Sequence, residues 1–446
     1  MRNLKRAFLI TLSLLVLLWL IAEPTVFQSA SFFALRAPML QLTGVLAIAV
    51  MSLAMVLALR QRLPEKWLGG LDKMYRLHKW FGITALVTSV LHFLWAKGPK
   101  WALGWGLLER PARGHRIPID NPIEATIAGF HRMAEQYGEW AFYAVLVLIA
   151  IALITRFSYR SFYKTHRLIA VAYLVLAFHS AVLFQYRYWS QPIGWVIAAL
   201  LVAGSAAGIV VLLRRVAASR RVGGRITSLN YLPGMRALAV ETEVLAWPGH
   251  KPGQFLFATT DSSEGPHPYT IASSWDAGQR KVRTVIKELG DHTRGLRDRL
   301  AVGQNVTIEG PYGCFTFEDN RPRQIWIGGG IGITPFIARL QHLVAHKHHA
   351  QGQKVHLFHA TTEIDQQALD SLSADAREAG VELHLSIDAH HGRLTPERLR
   401  ASVPDWREAS FWFCGPAGLG EALKRDLAAL GFPVNERFHQ ELFSMR

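Results

Sequence analysis

Cysteine is nearly missing: among 446 residues only Cys314 and Cys414 carry a thiol. That excludes a disulfide scaffold, a four-cysteine iron–sulfur cluster and a cysteine-based zinc site. Charge is scarce as well, at 18% of residues against 50% hydrophobic, which excludes disorder. Acidic residues are the rarer sign, 33 against 49 basic ones, for a formal net charge of +16. Such an excess invites a nucleic-acid partner. Its distribution argues against one, because the basic residues flank apolar runs instead of forming a stripe with a reading motif. The length corresponds to roughly three domains at about 150 residues each.

What is abundant is apolar sequence, concentrated before Leu213. Six runs suit membrane helices: Ala7–Ala22, Pro38–Leu59, His78–Ala96, Trp140–Ile154, Arg167–Tyr186 and Pro192–Leu213. Arg2, Lys5 and Arg6 before the first run also fit a signal peptide, but no A-x-A site follows Ala22 closely, so a retained anchor is expected. Alternate connections are rich in Lys and Arg, including Arg60 to Lys79, Arg156 to Arg167 and Arg214 to Arg221. The positive-inside rule then puts both termini, and everything after Arg221, in the cytoplasm. The intervening segment Lys97–Glu139 is expected as a long outer loop; its Arg113, His115 and Arg116 suit either an anionic acceptor or plain solvation.

Ionisable residues inside membrane helices are costly and point to function. Four histidines fall there in two pairs, His78 and His92 in the third run, His166 and His179 in the fifth. Fourteen residues at 1.5 Å separate His78 from His92 by about 21 Å, with a phase error of about 40°. The thirteen-residue gap from His166 to His179 gives an error of about 140°, which requires a bent or locally overwound helix. Two planes of paired imidazoles suit two stacked b-type haems with both axial positions filled. Histidines that merely hydrogen-bond between helices are the alternative.

After Arg221 short β-like runs at Gly224–Leu229, Ala237–Thr242, Gln254–Thr259, Arg283–Lys287 and Val306–Gly310 indicate a small antiparallel barrel. It contains His267-Pro268-Tyr269-Thr270-Ile271-Ala272-Ser273-Ser274 and then Lys287-Glu288-Leu289-Gly290-Asp291-His292-Thr293. An aromatic ring there suits the face of an isoalloxazine, with hydroxyls and amides for its polar edge; a plain barrel strand has the same look. From Gln324 onward strands alternate with helices, as in a doubly wound α/β sheet. Strand Gln324–Gly328 leads into Gly329-Gly330-Ile331-Gly332-Ile333-Thr334-Pro335. The glycines let amides approach a pyrophosphate, with Thr334 expected as N-cap and Pro335 as the first helical residue. The ending G-x-x-P departs from the dinucleotide fingerprint, and a bare glycine turn remains open. Cys414-Gly415-Pro416 after Ser410–Phe413 suits either a flat ring over the sheet edge or a tight turn.

In this order the motifs resemble the ferredoxin–NADP reductase superfamily, and with the membrane half they resemble the NADPH oxidase/ferric reductase family. The resemblance implies a six-helix transmembrane haem domain at 1–215, a β-barrel FAD domain at 221–319 and an α/β NAD(P) domain at 320–446. It implies axial haem ligation by His78, His92, His166 and His179. Flavin contact falls to His267, Pro268, Tyr269 and Thr270, with Ser273, Ser274 and Lys287 as further candidates and Gly290, Asp291 and Thr293 at the FAD pyrophosphate. Gly330, Gly332, Thr334, Pro335, Cys414, Gly415 and Pro416 fall to the nicotinamide dinucleotide, NADPH or NADH, and Phe443 to the flavin ring. The implied protein is a multi-pass enzyme of a bacterial-type inner or plasma membrane. It passes electrons from NAD(P)H through FAD and two haems to an outer acceptor. Dioxygen giving superoxide is expected first; a ferric or cupric chelate or a periplasmic protein partner is the alternative.

Overall fold

The computed structural model describes residues 2–28, 31–109, 119–154, 159–290, 292–346 and 353–441. The chain divides into two compact units. Among the described residues, the first holds those up to Pro64 and Met74–Val216, and the second holds Glu65–Lys73 and those from Ala217 onward.

Six helices of the first unit are long and apolar enough to cross a membrane: α1 (Arg2–Ala22), α2 (Phe32–Leu57), α3 (Leu71–Gly104), α4 (His131–Leu153), the pair α5 (Tyr159–His166) and α6 (Leu168–Leu183) counted as one, and α7 (Pro192–Leu212). The first five spans begin ahead of the sequence expectation, at Arg2, Phe32, Leu71, His131 and Tyr159. The third helix was expected to stop at Ala96, where Lys97-Gly98-Pro99 interrupts the apolar run. It continues to Gly104, because Lys97 is not bare: its Nζ lies 2.6 Å from Glu139 on α4. The fourth begins at His131, ahead of the expected Trp140, so the expected Lys97–Glu139 loop is largely helical. A further short helix, Pro122–Gly129, lies inside it, capped by Asn121, whose Oδ1 accepts from the amides of Ile123 and Glu124. Arg113, His115 and Arg116 lie outside the described residues.

Small residues let these helices pack closely. Ser52 of α2 and Tyr173 of α6 share a hydrogen bond of 2.8 Å, and an ideal Cβ on Gly204 of α7 would stand 2.1 Å from the Tyr173 hydroxyl. Glycine is thus required where that buried phenol crosses between helices.

The second unit contains two sheets. The first has strand order β4-β3-β6-β1-β2-β5, built from β1 (Arg221–Leu232), β2 (Ala237–Glu243), β3 (Phe255–Thr259), β4 (His267–Thr270), β5 (Lys281–Lys287) and β6 (Asn305–Tyr312). Its outer strands meet: Ile271 bridges Thr284, the Ala272 amide donates to the Arg283 carbonyl at 2.8 Å, and Arg283 N donates to Ser273 Oγ at 3.1 Å. The sheet thereby closes on itself around Ile226, Leu238, Val240, Leu256, Ile271, Val282 and Ile308, all buried.

The second sheet is wholly parallel, in the order β11-β10-β7-β8-β9. Its strands are β7 (Arg323–Gly329), β8 (Lys354–Thr361), β9 (Glu382–Ile387), β10 (Ser410–Cys414) and β11 (Phe438–Gln440), with helices α8 (Thr334–Ala345) and α9 (Gln366–Glu378) among the crossovers. Both faces are covered, one by a cluster around Phe336, Leu340 and Trp412, the other by one around Ile327, Phe411 and Leu423. That double burial explains the near-continuous apolar runs of β7 and β10. The chain moves outward from β7 through β8 to β9, then returns to β10 on the other side. The direction of winding therefore reverses between β7 and β10.

Candidate functional site

The four membrane histidines meet in two pairs. The rings of His78 and His166 have centres 5.9 Å apart, and those of His92 and His179 are 6.2 Å apart. Two imidazoles binding one metal from opposite sides, through nitrogens at about 2 Å, put their ring centres about 6 Å apart. The thirteen-residue spacing is accommodated at Arg167, which separates α5 from α6 immediately after His166. There the Ala170 amide reaches the Arg167 carbonyl at 3.1 Å, an i to i+3 turn. Such a turn is wound more tightly than an α-helix and advances the phase in the required direction.

Three of the four imidazoles are oriented by backbone carbonyls, which sequence reasoning did not identify. Nδ1 of His78 donates to Ala54 O at 2.9 Å, and Nδ1 of His92 to Leu40 O at 3.0 Å. Both carbonyls lie on α2, fourteen residues apart, the same interval as the two histidines on α3. Nδ1 of His179 donates to Ala134 O on α4 at 2.8 Å. Each of these bonds places the proton on Nδ1 and leaves Nε2 as the lone-pair donor, the usual arrangement around a ligating histidine. Nδ1 of His166 has no hydrogen-bond partner among the described residues, and its ring stacks on Phe162 at 4.9 Å. Room for the rings is also built in: an ideal Cβ on Gly138 would stand 2.0 Å from His179 Nδ1, and one on Gly44 3.2 Å from His92 Cε1.

In the second unit, β4 carries His267, Pro268, Tyr269 and Thr270 at the margin of the barrel sheet, antiparallel to β3. That margin suits Pro268, which has no N–H for a second neighbour. The His267 ring lies flat on His292, with centres 3.5 Å apart and planes 4° apart, and Glu264 bonds to His292 Nδ1. Burial, with the neighbouring His292 charge, pushes His267 down to about 4, so it is neutral at physiological pH. Neither Glu264 nor His292 was singled out in the sequence; their signal was only proximity to the two motifs. Ser273 Oγ accepts from Arg283 N, and Ser274 follows it, half-buried. Lys287 reaches Glu363 beyond β8, an ion pair between the two sheets of this unit. Thr293 Oγ1 accepts from the amides of Leu289 at 2.9 Å and Gly290 at 3.0 Å. Asp291 itself, like Phe443, lies outside the described residues.

The glycine loop and the Cys-Gly-Pro turn, 84 residues apart from Gly330 to Cys414, are brought together at the carboxyl ends of β7 and β10, where Cys414 pairs with Gly328. This is the point where the winding reverses, the crevice in which open α/β sheets take their ligands. Gly332 has no room for a side chain, since an ideal Cβ would stand 2.2 Å from Cys414 O. Gly330 has φ +54° and open space where a Cβ would point. One correction applies. Thr334 is not the N-cap: Ile333 holds that position, Thr334 is the first helical residue and Pro335 the second, because a tight turn over Gly330–Ile333 precedes the helix and takes the Thr334 hydroxyl on Ile331 O. Cys414 is fully buried and burial holds its thiol protonated, so it lines the strand end as a neutral group.

Two buried groups at this end were missed. His359 at the end of β8 donates from Nδ1 to Gly328 O at 3.2 Å, and burial pushes it down to about 4. Glu441 follows β11 directly, two residues before Phe443, and its amide reaches Phe413 O at 3.4 Å. Burial, reinforced by Asp72 and opposed by Lys73, pushes Glu441 up to about 8. An acid two positions ahead of the chosen aromatic was the available signal.

Comparison with known proteins agrees with this division. Residues 43–177 match the family model described as ferric reductase like transmembrane component, and residues 237–316 match an FAD-binding domain. The chain is 26% identical to the glycine betaine monooxygenase reductase subunit of Pseudomonas aeruginosa over 214 residues, 43% of this chain and 56% of that one. It is 29% identical to an NADPH oxidoreductase of Mycobacterium tuberculosis, over 44% and 53% of the two chains, and 28% identical to a flavohemoprotein of Pseudomonas putida, over 42% and 49%. The chain thus spans about half the length of the curated relatives it matches. Among solved structures it is similar to the ferredoxin reductase in carbazole 1,9a-dioxygenase, at 19% identity and a TM-score of 0.43, over 50% of this chain and 69% of that one.

Proposed function

We propose, on the premise that a chain joining these two matched domains is a member of the ferric reductase/NADPH oxidase family, that this protein moves electrons from NAD(P)H across a membrane to an acceptor on the other side. The observation that carries the reading is the pair of facing imidazole pairs within the helices, three of their rings fixed by carbonyl acceptors. In this reading residues 1–215 hold two b-type haems, 221–319 hold FAD and 320–446 hold the nicotinamide dinucleotide. When bound, FAD would supply the exchange between a two-electron donor and one-electron acceptors, and a haem held by two histidines would supply single-electron transfer.

The chain's own residues have distinct tasks. His78 and His166 would hold the inner iron, His92 and His179 the outer one, with their Nδ1 bonds keeping Nε2 aimed inward. His267, Pro268, Tyr269 and Thr270 would line the flavin, and Thr293 holds the turn expected at its pyrophosphate. The Gly330–Gly332 loop exposes backbone amides ahead of α8, where the helix N-terminus favours a phosphate. Cys414, neutral and small, with Gly415 and Pro416, leaves the strand end low enough for a flat ring, and Phe443 would cover the flavin. The Lys- and Arg-rich connections support termini and reductase domains on the cytoplasmic side.

A metal held between two histidines of this chain would pass electrons to an acceptor it does not bind, and dioxygen is the first expected. A ferric chelate is the second, favoured by the family model matched over residues 43–177. The test is a reduced-minus-oxidised spectrum of detergent-purified protein with each nicotinamide donor, followed by acceptor assays. Cytochrome c reduction sensitive to superoxide dismutase supports dioxygen. Ferric chelate reduction without that signal replaces it with the second reading. Brisk donor oxidation by a preparation without porphyrin overturns the transmembrane path.

A further inference from the structure

Away from the carboxyl ends of the parallel sheet, three side chains that no step of the proposed function uses converge on one face. His356 is the third residue of β8, five positions before Thr361; Glu382 and His384 lie on β9, and His356 is in register with Glu382. His356 Nδ1 is 3.2 Å from Glu382 Oε2 and 3.2 Å from His384 Nε2, and His384 Nε2 is 3.3 Å from Glu382 Oε1. Four donors around a tetrahedral ion with bonds of about 2.0–2.1 Å stand about 3.3–3.4 Å from one another. The two imidazole nitrogens fall within about 0.2 Å of that edge, and Glu382 sets a different oxygen beside each, Oε2 by His356 and Oε1 by His384.

The set is also prepared for an ion in other ways. The His384 ring stacks on Phe358, with centres 4.3 Å apart and planes 9° apart, which fixes the direction of Nε2. Glu382 is exposed, so the site opens to solvent and its fourth position is available to water.

We propose that His356, Glu382 and His384 form a binding site for a zinc-type divalent ion that clips β8 to the margin strand β9. Two imidazoles and one carboxylate select zinc over calcium or magnesium, which prefer all-oxygen sets. One neighbour must adjust: Arg323 Nη1 lies 3.4 Å from His356 Nε2, the nitrogen that carries the proton once Nδ1 is bound. Its guanidinium already pairs with Asp405 through Nη2 at 2.8 Å and would turn toward that carboxylate when the ion binds.

The test is zinc titration of untagged, full-length protein in detergent, stripped with a chelator, in competition with a chromophoric zinc indicator. Wild type is expected to bind one more equivalent than His384→Ala, and Glu382→Gln to bind that equivalent at least tenfold more weakly. Cobalt, a visible-absorbing substitute, is expected to give a tetrahedral ligand-field band in wild type that His384→Ala lacks. Equal flavin content and unchanged NAD(P)H oxidation in all three proteins show that they are folded and that the site is separate from electron transfer. Equal zinc stoichiometry and affinity in wild type and both variants overturns the proposal and leaves the three side chains as a hydrogen-bonded cluster.

Discussion

Single side chains carry the sharpest expectations. His92→Ala removes one member of the outer pair and is expected to reduce haem from two per chain to one, read by pyridine haemochrome. A Soret band of wild-type intensity and haem count in that variant defeats the assignment. Glu441 gives a pH signature. Its folded-state value of about 8 lies above the ordinary carboxyl value. Its contribution is therefore fully present at low pH and is lost as pH rises from about 4.5 through about 8, by up to about 1.4 kcal/mol per unit. Thermal unfolding of Glu441→Gln relative to wild type is expected to show the variant gaining ground between pH 5 and 8. A constant difference across that range removes Glu441 as the source. At this scale the sequence was partly legible. Histidines inside apolar runs stand out, as does Cys414 before Gly-Pro. Carbonyl acceptors such as Leu40 O and Ala54 O do not, because every residue has one and only the helix crossing chooses between them.

At the scale of elements, space decides. Gly138→Ala would drive a methyl group to within 2.0 Å of His179 Nδ1. A strain of about 1–3 kcal/mol is expected, with loss or high-spin conversion of the outer haem in the absorption spectrum; an unchanged low-spin spectrum counts against the pairing. Gly332→Ala confronts backbone instead, Cys414 O at 2.2 Å, and must separate the loops after β7 and β10. The Michaelis constant for NAD(P)H is expected to rise at least tenfold while FAD is retained, and a normal constant moves the dinucleotide elsewhere. The strands were readable to within a few residues because their alternation and turns are local. The long third helix was not, since its charge at Lys97 is answered by Glu139 from a different element. Similarly, the glycine loop and the Cys-Gly-Pro turn each look like an ordinary turn until the parallel pairing of β7 with β10 sets them side by side.

For the molecule as a whole, the proposed path moves electrons through a low-dielectric layer with no accompanying proton. Each charge moved against 100 mV costs about 2.3 kcal/mol. In sealed vesicles with the donor outside and the acceptor trapped within, NAD(P)H oxidation is expected to slow as a potential builds and to accelerate several-fold when valinomycin and potassium collapse it. A rate indifferent to ionophore places donor and acceptor on one side of the membrane. Fold class was legible at this scale from the pattern along the chain, since apolar runs, alternating short strands and strand–helix repeats occupy successive parts of it. The acceptor was not, because a metal held between two histidines would leave no pocket whose shape names it. The interruption at Arg167 has a further consequence. A single straight rod bearing both histidines would tie them to one rotation, so any twist that suited one iron would disturb the other. Cut into two pieces, this rod would let each proposed metal keep its own alignment on that side, while the unbroken α3 still ties His78 to His92.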